Sequence, residues 1–507
     1  MPSELKSAIM KLKFKAGDLK MIIEQMQAIL ARIQVLKAET QNMEYKTAAK
    51  GEPHKLYDTI SSFSNQDEGG IIIFGVDEKH NFEEVGVGDV NALQNSISNQ
   101  CLEMEPRVRP LISHFHRAED EKDFLFVEIP GLDISLRPCY YRGKGQIKGS
   151  YVRVGDHDEP MTAYEVYSYE AFRRRTYDEL RVVERASKSD LDLKLVNNYL
   201  EIAKANKPNF STFSDAKVAN LLGVFDDEHP TLCSLLVFSP YPQVYYPQLC
   251  VIAIKIAGTE IGDLAEDGQR FIDNKRIEGN LQQVLEGALR FVRTNMKVGM
   301  KIDATTGVHV DQPEYPIMAI REAILNALVH RDYSMHTEGT PIQLTMFNDR
   351  LEIRNPGGLY GRITVDNLGK MRTDTRNPVL ATMLEYLHIT ENRYSGIPIM
   401  RKQCQELGIS APVFKDNRGE FYVTFYNKKE AHSLISPQGL SAVELSIIKL
   451  CQKPRSKKEL AAALGLSSVQ YAFNVYVKPM IDKGLIKLDA NESPNSRKQK
   501  FIANIKA

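Results

Sequence analysis

Tyr315-Pro-Ile-Met-Ala-Ile-Arg321-Glu322-Ala-Ile-Leu-Asn326-Ala-Leu-Val-His330-Arg331-Asp332-Tyr333 is the most informative stretch of this 507-residue chain. Glu322, Asn326 and His330 stand at i, i+4 and i+8, so a helix puts all three on one face. Ile320, Ile324, Ala327 and Leu328 then fall on its buried side. A carboxylate and a carboxamide one turn apart can hold a water and a Mg2+ over a bound triphosphate. Taken alone, the pattern is equally that of a polar helix face. The residues downstream narrow the choice. Leu351-Glu352-Ile353-Arg354-Asn355-Pro356-Gly357-Gly358 reads as a strand ending in a glycine turn, and Tyr394-Ser395-Gly396-Ile397-Pro398 as a second glycine loop before a helix. Gly419 to Phe425 alternates as a closing strand.

This helix, its two glycine loops and the final strand resemble the nucleotide-binding fold shared by gyrase, histidine kinases and the mismatch-repair MutL proteins, the GHKL type. The resemblance is closest to the divergent ATP-binding domain labelled RecG-like, whose Arg-Glu-x-x-x-Asn-Ala-x-x-His-Arg-Asp-Tyr signature stands at Arg321 to Tyr333. It implies a Bergerat-type α/β sandwich that binds ATP and hydrolyses it slowly. Asn326 would ligate Mg2+ and Glu322 would orient the attacking water as the catalytic residue. His330, Asn355, Gly357, Gly358 and Gly396 would surround the nucleotide. Two positions depart from the pattern. The family's first glycine box brings an Asp to the adenine amino group where this chain has Asn355, and its second box is richer in glycine than Tyr394-Ser395-Gly396-Ile397.

A second constellation lies upstream. Glu39-Thr-Gln-Asn-Met-Glu44-Tyr45-Lys46, Phe63-Ser64-Asn65-Gln66-Asp67-Glu68-Gly69-Gly70 and Gly75-Val76-Asp77 resemble the Schlafen AlbA-type domain, together with Gly149-Ser-Tyr151-Val-Arg153-Val-Gly155. That likeness implies nucleic-acid binding. In the branch that cleaves RNA, three carboxylates bind Mg2+ or Mn2+; by motif position they fall on Glu39, Glu44 and Asp77, with Lys46 beside them as a further catalytic residue. Such a site activates a water and stabilises an in-line phosphoryl transition state. Read from the residues alone, Glu44 and Lys46 can equally form an exposed ion pair on one strand face, and Glu39 can simply end a helix.

The remaining organisation is read from composition and pattern. Lys plus Arg (65) equals Asp plus Glu (65), so nucleic-acid affinity rests on local basic patches. No GxxxxGK[ST] occurs, which argues against a P-loop motor or helicase. No apolar run reaches the length of a membrane helix, and no secretory signal is read at the N-terminus. The six cysteines are scattered without a CxxC pair, which fits a cytoplasmic protein with reduced thiols. Ile22, Met26, Ile29, Ile33 and Leu36 alternate at spacings of four and three, the seam of a short coiled coil or the stripe of a helix packed on its own domain. Residues 437–507 read as a winged helix: a helix, a capped helix from Ser456, a third helix from Ser467 to Lys483 and a wing returning at Lys500-Phe501-Ile502. Residues 453–502 carry ten basic and four acidic side chains, which suits DNA phosphates. Leu235-Leu236-Val237-Phe238 reads as a strand.

The expectation is a multidomain α/β and α+β chain. Its parts are an N-terminal helix (1–37), a Schlafen AlbA-type domain (38–180), an α/β connector (181–310), a GHKL-type ATP domain (311–432) and a winged helix (437–507). The function expected is ATP-regulated binding of DNA or RNA, with metal-dependent cleavage and a stress or anti-phage role implied by resemblance. The alternatives are a non-catalytic, ATP-responsive transcription regulator and an ATP-driven structural assembly. Self-association through the N-terminal helix is expected, and a membrane partner is not.

Overall fold

The computed structural model describes residues 21, 23–36, 41–48 and 56–427 apart from 266, 303–308, 371–373, 391–394 and 418. Further on it describes 447–448, 450–452, 454–463, 477, 480–481, 485–488 and 500–503. The chain forms two compact units, Met1–Asn427 and Lys428–Ala507.

Among the described residues, the first elements of the first unit are helix α1 (Ile23–Leu36) and strand β1 (Met43–Lys46), then α2 (Tyr57–Ser64) and β2 (Gly70–Phe74). A hairpin of β3 (Leu111–Arg117) and β4 (Lys122–Ile129) completes a four-stranded sheet of order β1-β2-β4-β3. β1 runs parallel to β2, with Met43 opposite Ile71, and β2 runs antiparallel to β4. Both faces of β2 are covered, which explains its unbroken apolar run. Ile72 and Phe74 face a core with Ile60, Phe63, Leu93 and Ile97, whereas Ile71 and Ile73 face Met26, Ile29, Leu30 and Ile33 of α1. The N-terminal stripe is therefore spent within its own chain: Met26, Ile29 and Ile33 are 2–3% exposed against the sheet. That burial removes the argument for a dimer seam, and Ile22 lies outside the described residues.

Strand β5 (Tyr151–Val154) leads to α3 (Ala163–Arg174), which opens with a capping box between Thr162 and Glu165. Leu235 to Phe238, expected as a strand, lies in helix α4 (Leu232–Phe238). All seven of its residues are buried, so neither a two-residue nor a 3.6-residue period shows, and the Thr231 side chain caps its first turn by accepting from Ser234 N.

A second sheet has six strands: β6 (Val251–Lys255), β7 (Asp273–Ile277), β8 (Ile342–Met346), β9 (Arg350–Pro356), β10 (Val413–Asn417) and β11 (Glu420–Tyr426). Their order is β7-β6-β8-β9-β11-β10, with β6 parallel to β8 and the other pairs antiparallel. Four helices build on it: α5 (Leu281–Asn295), α6 (Ile317–His330), α7 (Pro378–Tyr386) and α8 (Gly396–Leu407). One core runs from Val183 to Phe425. The stretch read as a connector thus supplies two strands to the same sheet, and several helices, α4 and α5 among them, to the same core as residues 311–427.

In the second unit, strand Ile486–Leu488 pairs antiparallel with Lys500–Ala503, as the expected wing requires. Ser456 and Glu459 form the expected capping box, with Ser456 N donating to Glu459 Oε2 at 2.8 Å. Ile447, Cys451, Leu460, Val477, Met480, Ile486 and Phe501 make a small core. Most of the third helix expected there lies outside the described residues.

Candidate nucleotide-binding site

Helix α6 starts after Pro316, whose fixed φ suits a helix entry, and buries Ala319, Ile320, Ala323, Ile324, Ala327 and Leu328. Its opposite face presents Glu322, Asn326 and His330 to a cavity of about 460 Å³, a volume typical of small-molecule sites. Asn355, Gly357, Gly358 and Gly396 line the same cavity. Every residue assigned to the nucleotide from sequence therefore meets in one place, although they span three elements and one loop.

Two glycines shape the walls for different reasons. Gly396 opens α8 directly against α6: a Cβ built there would lie 3.0 Å from Glu322 Oε2 and 3.2 Å from Asn326 Nδ2. Only a residue without a side chain leaves that gap beside the helix N-terminus, whose free N–H groups and dipole favour an anion. Gly357 has φ +97°, a conformation other residues rarely adopt. A Cβ on it would also meet Arg376 Nη1 at 2.4 Å and Asp332 Cβ at 2.5 Å.

The electrostatics divide the cavity. Arg321 Nη1 lies 3.2 Å from Glu322 Oε1, and its Nη2 donates to the Ile389 carbonyl at 2.7 Å. His330 is open to the cavity yet enclosed by protein, and desolvation, with Arg376's charge as a second cause, lowers its pKa to about 4. Both causes favour the neutral ring. Asn355 is 5% exposed, and its Oδ1 has no hydrogen-bond partner among the described residues. A carboxamide keeps the acceptor that the family's Asp would provide and adds a donor.

Sequence reasoning missed the support behind the glycine loop. Arg376 Nη1 pairs with Asp332 Oδ2 at 3.0 Å, and both side chains are under a tenth exposed. Burial works against the charged Asp332, but Arg376's charge and hydrogen bonds from Ser334 and Tyr164 outweigh it and hold its pKa below the usual range. Asn377 Nδ2 donates to the Val329 and Arg331 carbonyls at 2.8 and 2.7 Å, closing the C-terminus of α6. The available signal was Arg376-Asn377-Pro378, a polar pair before a proline that starts a helix.

The upstream carboxylates behave differently. Glu44 is buried in β1, ion-paired with Lys46 and lying 2.8 Å from Arg153 Nη2. Arg153 also holds Asp158 at 3.0 Å, and Asp158 accepts from Thr59 Oγ1 at 2.6 Å. Asp77 caps a short helical turn by accepting from Lys79 N at 3.0 Å and meets His80 Nδ1 at 2.8 Å. The His80 hydrogen bond is the main cause that lowers its pKa. Glu39 lies outside the described residues. Among the described residues no three His, Cys, Asp or Glu side chains converge as a metal ion needs. The motif residue Asn65 is structural: it donates to the Cys139 and Tyr151 carbonyls at 2.9 and 3.0 Å and accepts from Cys139 N at 2.6 Å.

Comparison with known proteins bears on both constellations. Residues 39–162 match the family model "Schlafen, AlbA_2". Residues 339–425 match "Putative ATP-dependent DNA helicase recG C-terminal". The chain thus joins a Schlafen AlbA_2 domain to a RecG-like C-terminal domain of ATPase type. Residues 442–502 match "Filamentation induced by cAMP protein Fic-like, C-terminal domain". That match replaces the winged-helix assignment; a capped helix and a short wing are common to many small modules and did not single one out. No curated protein matches the chain. Among solved structures, the DIP2311 protein from Corynebacterium diphtheriae is similar at 18% identity over 95% of this chain and 97% of that one, with a TM-score of 0.38. At that score the likeness supports no inference. The AlbA_2 and ATPase-type domains fit a nucleic-acid-related, ATP-dependent protein. No helix among the described residues is long and apolar enough to cross a membrane.

Proposed function

We propose that the chain is an ATP-regulated nucleic-acid-binding protein. ATP occupies the cavity between α6, the Gly357-Gly358 loop and α8, and the AlbA_2 domain engages DNA or RNA. The observation that carries this reading is the convergence of Glu322, Asn326, Asn355, Gly357, Gly358 and Gly396 on one cavity. The gap at Gly396, which a Cβ would fill, fits a phosphate beside a carboxylate and a carboxamide, oxygen donors that suit Mg2+. Bound there, Mg2+ would neutralise phosphate charge. Asn326 would hold it, and Glu322 would orient a water for slow hydrolysis.

Isothermal titration of the full chain with ATP and Mg2+ tests the reading. Wild type is expected to bind, Asn326→Ala to lose binding and Glu322→Ala to retain it. Wild type that takes up no ATP, or Asn326→Ala with unchanged affinity, overturns it.

A further inference from the structure

Helix α3 begins at Ala163, directly after the AlbA_2 match of residues 39–162, and lies against the wall of the nucleotide cavity. In its first turn, Tyr164 Oη donates to Asp332 Oδ2 at 2.8 Å. The same Asp332 oxygen holds Arg376 Nη1 at 3.0 Å, and Arg376 Nη2 donates to the Gly358 carbonyl at 3.0 Å. A second path leaves the same tyrosine. Its ring approaches Gly419, where a built Cβ would lie 3.1 Å away, and the Gly419 carbonyl accepts from Gly357 N at 2.8 Å. Both halves of the glycine loop therefore rest on Tyr164. Further along α3, Phe172 packs edge-on against Tyr360 at 5.4 Å, and Arg175 Nη1 lies 3.9 Å from Asp374 Oδ1. Tyr360 and Asp374 both line the cavity.

We propose that Tyr164 is a positioning residue of the nucleotide cavity, supplied by the helix that follows directly on the AlbA_2 match, through which nucleotide occupancy reaches helix α3. The proposal rests on the reading of the cavity as a nucleotide site. A ligand that fixes the Gly357-Gly358 loop fixes Arg376, and a buried ion pair tolerates little displacement because each charge depends on its partner. Asp332 and Tyr164 are then held as well. Linkage makes the effect reciprocal: whatever displaces α3 changes nucleotide affinity by the same factor.

Hydrogen exchange of the full chain, with and without ATP and Mg2+, tests this on wild type, Tyr164→Phe and Tyr167→Phe. Phenylalanine keeps the ring against Gly419 and removes only the hydroxyl. Tyr167, on the same helix, is the control, because its hydroxyl donates to Asp178 in the turn after α3. In wild type and Tyr167→Phe, ATP is expected to slow exchange both at 357–361 and along 163–174. In Tyr164→Phe the protection stops at 357–361, and ATP binds about tenfold more weakly, the order expected for losing a hydrogen bond to a charged group. Wild type that binds no ATP overturns the nucleotide reading and this proposal together. ATP binding that protects the loop but leaves wild-type α3 unchanged, or a Tyr164→Phe protein that still transmits protection, overturns this proposal alone. The wild-type measurement decides even where Tyr164→Phe does not fold.

Discussion

Gly396→Ala separates binding from folding. The added methyl would sit 3.0 Å from Glu322 Oε2 and 3.2 Å from Asn326 Nδ2, closer than comfortable contact. Both atoms end flexible side chains that border an open cavity, so each can turn aside. An off-rotamer torsion costs about 0.5–1.5 kcal/mol. Alanine in place of glycine within a helix returns up to about 1 kcal/mol, and Gly396 does not have a left-handed backbone. With two side chains displaced, the net cost in stability is therefore at most about 3 kcal/mol, and near zero where both find open rotamers. Binding is affected in either case, because the methyl fills the gap between α8 and α6 and displaces both polar groups. Hydrogen bonds to charged groups contribute about 1.5–3 kcal/mol. At roughly 1.4 kcal/mol per tenfold, the ATP Kd rises by about ten- to a hundredfold. Urea denaturation and isothermal titration on the same preparation read the two quantities. A stable Gly396→Ala protein that binds ATP within twofold of wild type refutes the argument that this gap receives phosphate.

Two further outcomes follow from features away from the cavity mouth. Ile29→Ala, at a position 3% exposed between α1 and the first sheet, is expected to cost about 2–5 kcal/mol in urea denaturation while leaving the mass in ultracentrifugation unchanged; a changed mass with unchanged stability returns the stripe to a subunit interface. Asp332 has a folded pKa below its unfolded value of about 3.9, so its contribution is complete above that pH and is lost as pH falls through the folded value. Asp332→Asn should flatten the acid limb of a stability-against-pH curve below about pH 4, and an unchanged limb counts against the Arg376 pairing.

What the sequence disclosed follows the range of each interaction. The Glu322, Asn326, His330 face was legible because its period lies within one helix, and the glycine loops were legible because a glycine pair marks a turn. Asp332, Arg376 and Tyr164 were not, since their pairing joins residues 168 positions apart and no local pattern records it. The stripe of α1 was read correctly as a stripe. Its partner was hidden because Ile71 to Phe74 are apolar on both faces: such a run says that both faces are covered but not by which element. Helix α4 was misread for the same reason. In the AlbA_2 domain, Glu44 was legible as a conspicuous carboxylate, but its ion pair with Arg153, more than a hundred residues away, was not, because no local pattern records it.

The parallel pairing of β6 with β8 bears on how this gene can be cut and recombined. The segment that carries the RecG-like match begins at residue 339, just before β8. A fragment excised there would keep β8 to β11 but lose β6, β7 and the whole of α6. Ile342–Met346 would become a bare edge whose unpaired amides and apolar side chains invite another chain to add on, the usual route to aggregation. The excised piece would also lack Glu322 and Asn326. A breakpoint compatible with a transplantable module falls before Val183, where the shared core begins, and so reaches back to within ten residues of the end of α3. Inheritance of the nucleotide cavity as an independent cassette therefore requires at least the Val183–Phe425 core, and carrying its Tyr164 contact means bringing helix α3, up to the end of the AlbA_2 match, with it.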